Sequence, residues 1–389
     1  MKTVLLDGFR TPFGKWKGAL SKLSAVELGK SVVAALLYRY PEAEEADGAM
    51  LAQVIQAGAG QNPARQVAYH AGIDPEMPAI TQNNVCLGGL ATIADATRRI
   101  QLHEGDLYLV GGFDSMTNAP HTANVRMQSG IGNTQLKDTL QHDGLWCALT
   151  DQPMGMLTDQ YNQTYKISRE EQDEYAAQSQ RRATEAQTSG ELSEEIVPIT
   201  GILEADEGIR ANTTTDKLAN LAPAFSPDGT ITAGNASQMT DGASVGIVTS
   251  EKKAQSLHRT PLAEIIDWSE TAGPDASLQT KPAKAINHLL ERHQLSTDDI
   301  DLFEINEAFA SVVIASCRDL GIDYDRVNVN GGAIAIGHPL GGTGFRLVLT
   351  LAHELKRRGG GKGIASLCGG GGQAFAILIE VPKMKGESA

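Results

Sequence analysis

Short apolar runs alternate along this chain with longer segments in which apolar positions recur at helical spacing. The runs have the length of strands and lie at residues 3–7, 50–54, 107–111, 262–267, 302–305 and 326–329, with a closing pair at 363–368 and 373–380. The periodic segments have the length of helices and lie at residues 25–40, 62–71, 90–102, 282–293, 307–320 and 344–358. Such alternation is typical of an α/β fold, in which helices cover the faces of a sheet.

The order of strands and helices in the first part of the chain returns after residue 262, which predicts a core of two similar halves. Between the halves, residues 119–237 follow neither repeat and include a long polar helix at 168–189. An insertion of this size is typical of a lid or a ligand-binding subdomain. We therefore predict an N-terminal core at 1–118 and 238–260, a loop domain at 119–237 and a C-terminal core at 261–389.

Composition and charge exclude several classes of function. The chain has 389 residues, more than a single hydrophobic core usually serves, and a net charge of −14 from 33 basic and 47 acidic residues. This balance argues against nucleic acid or an anionic membrane as the main partner. The four cysteines form no closely spaced pair, which predicts reduced thiols. Because the sequence shows no leader pattern and no long apolar stretch, we expect a cytoplasmic protein.

Cys86 is the first candidate for chemistry. It ends a short strand and precedes a helix, so the helix dipole would stabilise its thiolate. Gly88 and Gly89 follow it and would leave room for a substrate to approach. Taken alone, the segment is equally consistent with a buried structural cysteine.

Two further glycine-rich loops carry His338 and Cys368. His338 lies before a helix, where backbone N–H groups point at a ligand. The alternative is a phosphate-binding loop, although the Gly-Lys-Ser/Thr ending of a P-loop is missing. Cys368 ends an apolar strand and precedes four glycines, whose N–H groups would suit an oxyanion hole. The alternative here is a tight hairpin.

Asn306 follows the strand at 302–305 and is expected to begin a helix. For an isolated Asn-Glu pair the default interpretation is a helix cap. A functional role for Asn306 depends on the other loops.

Together these segments resemble the thiolase family over nearly the whole chain. The motifs occur in the order of the family, and they are Arg10-Thr11-Pro12-Phe13-Gly14, Asn84-Val85-Cys86, Gly234-Asn235-Ala236-Ser237, Asp241-Gly242-Ala243, Asn306-Glu307-Ala308-Phe309, Gly337-His338-Pro339 and Cys368-Gly369-Gly370-Gly371. The resemblance implies the duplicated five-layered αβαβα fold with an inserted loop domain. It also implies dimers or dimers of dimers, thus a homo-oligomer.

The resemblance further implies a CoA-dependent acyltransferase that makes or cleaves the C–C bond of a 3-oxoacyl-CoA. Cys86 would be the acylated nucleophile, His338 would activate it, and Cys368 would be the acid and base. Asn306 would hold a water that, with His338, binds the enolate oxygen, and the N–H groups of Cys86 and Gly370 would form the other oxyanion hole. Ping-pong kinetics follow from the acyl-cysteine intermediate. No metal or redox cofactor is needed, since CoA and acyl-CoA are substrates.

The family positions also predict the CoA site. Ser237 would contact the pantetheine and Arg210 the nucleotide end of CoA. The residues implied to line the tunnel are Leu145, Met154, Leu221, Phe225, Ala308 and Phe309.

Two departures from the family pattern leave the acyl chain length open. Gly88 stands where the family often has Ser, and Pro153 stands where short-chain acetoacetyl-CoA thiolases often have His. Acetyl-CoA acetyltransferase is the main expectation, and a broad-range degradative 3-ketoacyl-CoA thiolase is the alternative. Decarboxylating 3-oxoacyl synthases and HMG-CoA synthase-like enzymes lack the closure at Cys368. A non-catalytic CoA-binding protein would be expected to have lost at least one reactive residue.

Overall fold

The computed structural model describes residues 1–126 and 131–383; the remaining residues of the predicted loop domain (127–130) and C-terminal core (384–389) lie outside the described residues. The described strands are β1 Thr3–Arg10, β2 Gly14–Lys15, β3 Gly48–Ala52, β4 Ala79–Gln82, β5 Leu107–Ser115, β6 His121–Thr122, β7 Lys137–Asp138, β8 Trp146–Cys147, β9 Gln152–Pro153, β10 Thr240–Ser250, β11 Ala263–Ala272, β12 Leu302–Ile305, β13 Gly361–Gly369 and β14 Gln373–Val381. The described α-helices are α1 Ala25–Arg39, α2 Pro63–Ala71, α3 Gly88–Gln101, α4 Met154–Thr164, α5 Arg169–Ser189, α6 Thr215–Ala219, α7 Glu251–Ser256, α8 Lys281–His293, α9 Ala310–Leu320, α10 Ala333–Ile336 and α11 Leu340–Arg357.

Two of the longer helices begin where their sequences supply a capping box. The Ser24 side chain accepts from the backbone N–H of Glu27, and the Glu27 carboxylate accepts from that of Ser24, at the start of α1. Ser168 and Glu171 do the same at the start of α5. These reciprocal bonds satisfy N–H groups that a helix start leaves unpaired.

The order of strands shows the duplication. The main sheet runs β12-β13-β14-β11-β1-β10-β5-β3-β4, with β2 paired to β10. From β1 outward the N-terminal half runs β1-β10-β5-β3-β4, and from β11 outward the C-terminal half runs β11-β14-β13-β12. Both halves have two antiparallel pairings followed by a parallel one. The order is therefore nearly palindromic about the β1–β11 junction.

The likeness of the halves extends to one irregularity. The register of β1 on β10 shifts between Leu5 and Asp7, and that of β11 on β14 shifts between Ile265 and Asp267. In both bulges the aspartate accepts from the next backbone N–H at 2.8 Å. A bulge kept at the same place in both strands indicates a shared structural origin.

Alternating side chains divide the core into layers. In β1, Leu5 packs in a cluster with the central helices α3 and α11, whereas Leu6 packs with α1 and α2. In β14, Ile377 faces α3 and α11, whereas Leu378 faces α8 and α9. The layers are thus helices, half-sheet, central helices, half-sheet and helices, the predicted αβαβα arrangement.

The structure corrects four details of the sequence-based elements. The strand expected at 326–329 is absent from the described structure, where a 3₁₀ turn at Tyr324–Arg326 and a single bridge between Phe303 and Val327 occupy its place. The Asn328 side chain there accepts from Ile305 N at 2.8 Å and donates to Ile305 O at 2.7 Å, so an amide replaces the ladder. The helix expected from 307 begins at Ala310, and the helix expected from 344 begins at Leu340. Strand β10, which had not been predicted as a separate strand, is buried along its whole length.

Residues 119–237 contribute no described strand to the main sheet. They contain α4, α5, α6 and a π-helix at Leu140–Leu145. The division into three domains remains a prediction. In the described parts of the chain, no helix is both long and apolar enough to cross a membrane.

Candidate active site

The two central helices cross at glycines near their N-termini. A Cβ on Gly89 of α3 would lie 2.7 Å from the Phe345 backbone N, and one on Gly344 of α11 would lie 2.5 Å from the Leu90 backbone N. This close approach brings together the loop before α3, which carries Cys86, and the loop before α11, which carries His338. The glycines after Cys86 had been expected to leave room for a substrate. Instead Gly89 packs against α11, and a Cβ on Gly88 would lie 2.6 Å from the Ala52 Cβ.

Cys86, His338, Cys368 and Gly370 line one cavity of about 540 Å³, which we call the inner cavity. Its other lining residues come mainly from the loop domain and from the turn between β13 and β14. They include Val85, Leu145, Trp146, Cys147, Leu149, Met154, Ser237, Leu278, Ala308, Phe309, Leu340 and Gln373. The structure therefore brings together the three loops that the sequence marked.

A strained residue positions Cys86. The preceding Val85 has φ +48°, a left-handed conformation that is unfavourable for a β-branched residue. Its backbone N–H donates to Asn83 Oδ1 at 3.0 Å, which helps to hold the turn. Strain of this kind persists only where the surrounding structure fixes it, and it is common at active sites.

The Cys86 thiol has an unexpected pKa. Burial raises the pKa to about 12, and the Asp114 carboxylate raises it as well, while hydrogen bonds from the backbone N–H groups of Cys86 and Gly370 lower it. Backbone N–H groups, including that of Cys86 at the start of the helix, do favour the thiolate, but the loss of solvation outweighs them. Cys86 is thus a thiol at rest and requires a base. The two N–H groups predicted for an oxyanion hole both face its sulfur.

His338 is a neutral imidazole of defined tautomer. Burial and, to a lesser extent, the positive charge of Arg346 lower its pKa to about 3. Its Nδ1 lies 2.6 Å from Thr343 Oγ1, and the Thr343 hydroxyl donates to the Pro339 carbonyl at 2.7 Å. Since that hydroxyl proton is committed, Nδ1 carries the imidazole hydrogen and Nε2 carries the lone pair.

Asn306 does not cap a helix, because it lies four residues before α9. Its Nδ2 is 3.5 Å from His338 Nε2, and its buried Oδ1 has no hydrogen-bond partner among the described residues. The next residue holds this loop in place. Glu307 accepts from Tyr175 Oη at 2.8 Å and from Ser179 Oγ at 2.7 Å.

Cys368 lies at the end of β13 and is buried. Burial and the neighbouring Cys86 raise its pKa above that of an ordinary thiol. Gly371 and Gly372 have φ of +80° and +71° and form the turn into β14. The glycine run thus makes a tight hairpin and also directs the Gly370 N–H at Cys86. The hairpin and the N–H donor, which the sequence offered as alternatives, therefore occur together.

A second cavity of about 500 Å³, the outer cavity, adjoins the first. The two share the lining residues Leu145, Met154, Ser237, Phe309, His338 and Leu340. Of the remaining predicted CoA contacts, Arg210 and Phe225 line the outer cavity and Ala308 the inner one. Leu221 lines neither; it is exposed and packs beside Gly234. Gly88 and Pro153, the two departures from the family pattern, also lie outside both cavities.

The sequence analysis missed several residues of this site. Asp114 accepts from the backbone N–H of Gly341 at 2.7 Å and of Ile55 at 2.9 Å, and burial raises its pKa to about 6. The sequence feature that could have identified Asp114 is its position as a charged residue inside the apolar strand β5. Lys15 and Trp16 line the outer cavity. The sequence feature that could have identified them as ligand-binding residues is the Lys15-Trp16-Lys17 run, an aromatic residue between two lysines in an acidic chain.

Arg10, the first residue of the Arg10-Thr11-Pro12-Phe13-Gly14 motif, has a structural role. Arg10 is fully buried, and its guanidinium donates to Glu195 at 2.6 Å and to both oxygens of Asp206 at 2.6 and 2.8 Å. It thereby joins β1 to two segments of the predicted loop domain. Thr350 of α11 donates to the other oxygen of Glu195 at 2.7 Å.

Comparison with protein-family models matches residues 3–252 to the N-terminal domain of thiolase and residues 259–381 to its C-terminal domain. A probable acetyl-CoA acetyltransferase of Mycobacterium tuberculosis is 48% identical over 387 residues, covering 97% of this chain and 98% of the relative. An acetyl-CoA acetyltransferase of Cupriavidus necator is 41% identical over 387 residues, with the same coverage.

Two solved structures are similar over almost the whole chain. The crystal structure of the Bacillus anthracis acetyl-CoA acetyltransferase has a TM-score of 0.95 at 37% identity and covers 98% of this chain and 99% of its own. That of human mitochondrial 3-ketoacyl-CoA thiolase in complex with CoA has a TM-score of 0.94 at 38% identity and covers 98% of both chains.

Proposed function

The chain belongs to the thiolase family, and on that premise we propose that it is an acetyl-CoA acetyltransferase. It would condense two acetyl-CoA molecules to acetoacetyl-CoA and CoA, and catalyse the reverse thiolysis. The observation that carries this proposal is the convergence on one cavity of a thiol facing two N–H groups, a neutral imidazole and a second thiol.

In the first half of the proposed reaction, Cys86 attacks the thioester carbonyl of acetyl-CoA. Its proton passes to Nε2 of His338, and the N–H groups of Cys86 and Gly370 stabilise the oxyanion. The departing CoA sulfur takes the proton of Cys368. This step leaves an acetyl-Cys86, a protonated His338 and a Cys368 thiolate, so the charges of the last two offset each other.

In the second half, the Cys368 thiolate removes a proton from the methyl group of a second acetyl-CoA. The Nε2–H of His338 and a water held by Asn306 stabilise the enolate oxygen, which supplies much of the barrier reduction. The enolate carbon attacks acetyl-Cys86, and the Cys86 sulfur leaves and regains its proton from His338. The three groups return to their first protonation states, and the cycle needs no metal or redox cofactor.

The covalent step can be tested with isotope-labelled acetyl-CoA, followed by denaturation and peptide mapping. We expect the label on Cys86 and none on the C86A variant. The matched control is C317A, because Cys317 is a buried cysteine in α9 that lines neither cavity. Labelling that survives in C86A, or no labelling of the native protein, would count against the proposal. A CoA-binding protein without activity would keep its CoA affinity in C86A and would not be labelled.

A broader 3-oxoacyl-CoA range is the second candidate. The inner cavity of about 540 Å³ is lined by Trp146, Leu149, Leu278 and Gln373 as well as by the reactive cysteines, which favours space for a longer acyl chain. The measurement is kcat/KM for CoA-dependent thiolysis of acetoacetyl-CoA beside an eight- or ten-carbon 3-oxoacyl-CoA. A strong preference for acetoacetyl-CoA supports the acetyltransferase, and comparable turnover of the longer substrate supports a 3-ketoacyl-CoA thiolase.

The cytoplasmic location, the homo-oligomeric assembly and the lack of a resident cofactor remain predictions. CoA and acyl-CoA are the small-molecule partners that this proposal requires.

A further inference from the structure

Residues 15–18 form a turn beside the outer cavity, which Lys15 and Trp16 line, and several hydrogen bonds hold its backbone. The Trp16 N–H donates to the Met239 carbonyl at 3.0 Å, and the Gly18 N–H donates to the Lys15 carbonyl at 2.7 Å. The Glu207 carboxylate accepts from the Lys15 N–H at 2.9 Å. A turn with these anchors presents its side chains in a fixed position.

Lys17 adopts an unfavourable conformation in this turn. Its φ is +59°, in the left-handed region where a side chain is disfavoured, and its N–H donates to Thr117 Oγ1 at 2.7 Å. The ammonium lies 4.0 Å from the centroid of the Trp16 ring, in a cation–π contact. The strained backbone therefore places a positive charge over the indole.

Trp16 is 41% exposed, although it lines a cavity. The indole borders the outer cavity, whereas Lys17 is not among the residues that line it. A large aromatic ring with one face covered by a cation and another side open to a cavity is suited to stacking with a flat, polarisable ring.

The charge around the outer cavity favours an anion. Its charged lining residues are Lys15 and Arg210, and among the described residues that line it none carries a carboxylate. Neither cation forms an ion pair with a carboxylate of the described residues. In a chain of net charge −14, two cations and no carboxylate along one cavity give this wall a local positive potential, which suits phosphate groups.

From these observations we infer that Trp16 is a stacking platform for the adenine ring of CoA, with Lys15 beside Arg210 binding its phosphates. The inference rests on the proposed function only in that CoA is the ligand. It assigns the residues at 15–17 to nucleotide recognition, whereas the acyl and pantetheine ends extend through Ser237 toward Cys86.

The experiment compares the binding of CoA, dephospho-CoA and pantetheine by titration calorimetry, which needs no turnover. We expect W16A to raise the Kd for CoA and for dephospho-CoA about tenfold, the size of a lost base–aromatic stack. The Kd for pantetheine should change less than twofold. W16F keeps an aromatic ring, and its affinity for CoA should fall at most about threefold. K15Q should weaken the binding of CoA and reduce the dependence of the Kd on salt concentration.

K17G removes the ammonium while relieving the left-handed strain, and we expect it to weaken CoA about threefold. The matched control is K166G, because Lys166 also has a left-handed φ, of +52°, but lines neither cavity. K166G should bind CoA as the native protein does. A spectroscopic readout is the quenching of tryptophan fluorescence by dephospho-CoA, taken as the difference between the native protein and W16F.

The inference would be overturned if the Kd of W16A for CoA were within twofold of the native value. It would also be overturned if W16A raised the Kd for pantetheine by the same factor as the Kd for CoA. If native protein turned over acetoacetyl-CoA while W16A kept its CoA affinity, only the stacking assignment would fall. If native protein bound no CoA, the proposed function would fall with it.

Discussion

The hydroxyl of Thr343 lies 2.6 Å from Nδ1 of His338 and decides which nitrogen of the imidazole is the base. We predict that T343V lowers kcat for thiolysis about ten- to a hundredfold, because a buried N–H without an acceptor costs about 1–3 kcal/mol. T343S keeps the hydroxyl and should retain most of the activity. Native kcat in T343V would show that the tautomer is fixed by something else.

The burial of neutral His338 should also make the protein less stable in acid. Its pKa is lowered to about 3 in the folded state, whereas an unfolded histidine titrates near 6.5. Between these values the unfolded chain binds the extra proton, so the free energy of unfolding falls as pH decreases. We predict that native protein loses about 2 kcal/mol more than H338Q between pH 7 and pH 5, in urea unfolding at both values. Equal losses in the two proteins would refute this.

Asn306 should matter for one half of the reaction only. We predict that N306A still forms acetyl-Cys86 in a rapid burst, because the donors that face the Cys86 sulfur are the N–H groups of Cys86 and Gly370. Condensation should slow about 10²–10³-fold, the usual loss when an oxyanion donor is removed. Rapid-quench kinetics with labelled acetyl-CoA separate the two steps. A slowed burst would place Asn306 in the first half-reaction instead.

The buried cluster around Arg10 should be critical for stability. R10M leaves the Glu195 and Asp206 carboxylates buried without a cation, and we expect a loss of about 3–5 kcal/mol in the free energy of unfolding. The exposed pair of Arg99 and Glu104 provides the control, since R99A should cost less than about 1 kcal/mol. Denaturant midpoints for both variants test the contrast. Similar small effects would mean that the cluster relaxes or takes up water.

The glycine crossing of α3 and α11 should be intolerant of a methyl group. A Cβ at 344 would lie 2.5 Å from the Leu90 backbone N, so G344A must displace a helix. We predict that G344A loses about 1–3 kcal/mol in the free energy of unfolding. We also expect kcat to fall at temperatures where the variant is still folded, because the helix N-termini position the reactive loops. G342A on the same helix is the milder comparison, as its Cβ would come no closer than 3.2 Å to another atom. Equal effects of G344A and G342A would contradict this explanation.

Sequence patterns predicted five of the eleven described α-helices within two residues at both ends, namely α1, α2, α3, α5 and α8. The family resemblance identified the fold and the three loops that meet in the inner cavity. What they could not give depends on contacts between distant segments. The pKa of Cys86 is set by burial between Asp114 and the turn at Gly370, and no local pattern reports that. The expected strand at 326–329 is replaced by a single amide, that of Asn328, which mimics strand pairing with its side chain.

For the predicted CoA contacts, too, family positions identified some residues correctly placed at the cavities and missed others. Met154 and Phe309 were assigned from family positions and line both cavities, whereas Leu221 was assigned in the same way and is exposed. Trp16 was overlooked because its significance lies in the strained Lys17 that covers it, and backbone dihedrals are invisible in a sequence.

The nearly palindromic strand order has an evolutionary consequence. Cys86 and His338 occupy equivalent places, each in the loop that precedes the central helix of its own half. Two identical half-length chains arranged about a twofold axis would have to carry the same residue in both loops. A nucleophile facing an unlike base at that axis therefore requires two halves that differ in sequence, which a single polypeptide encoding both halves provides.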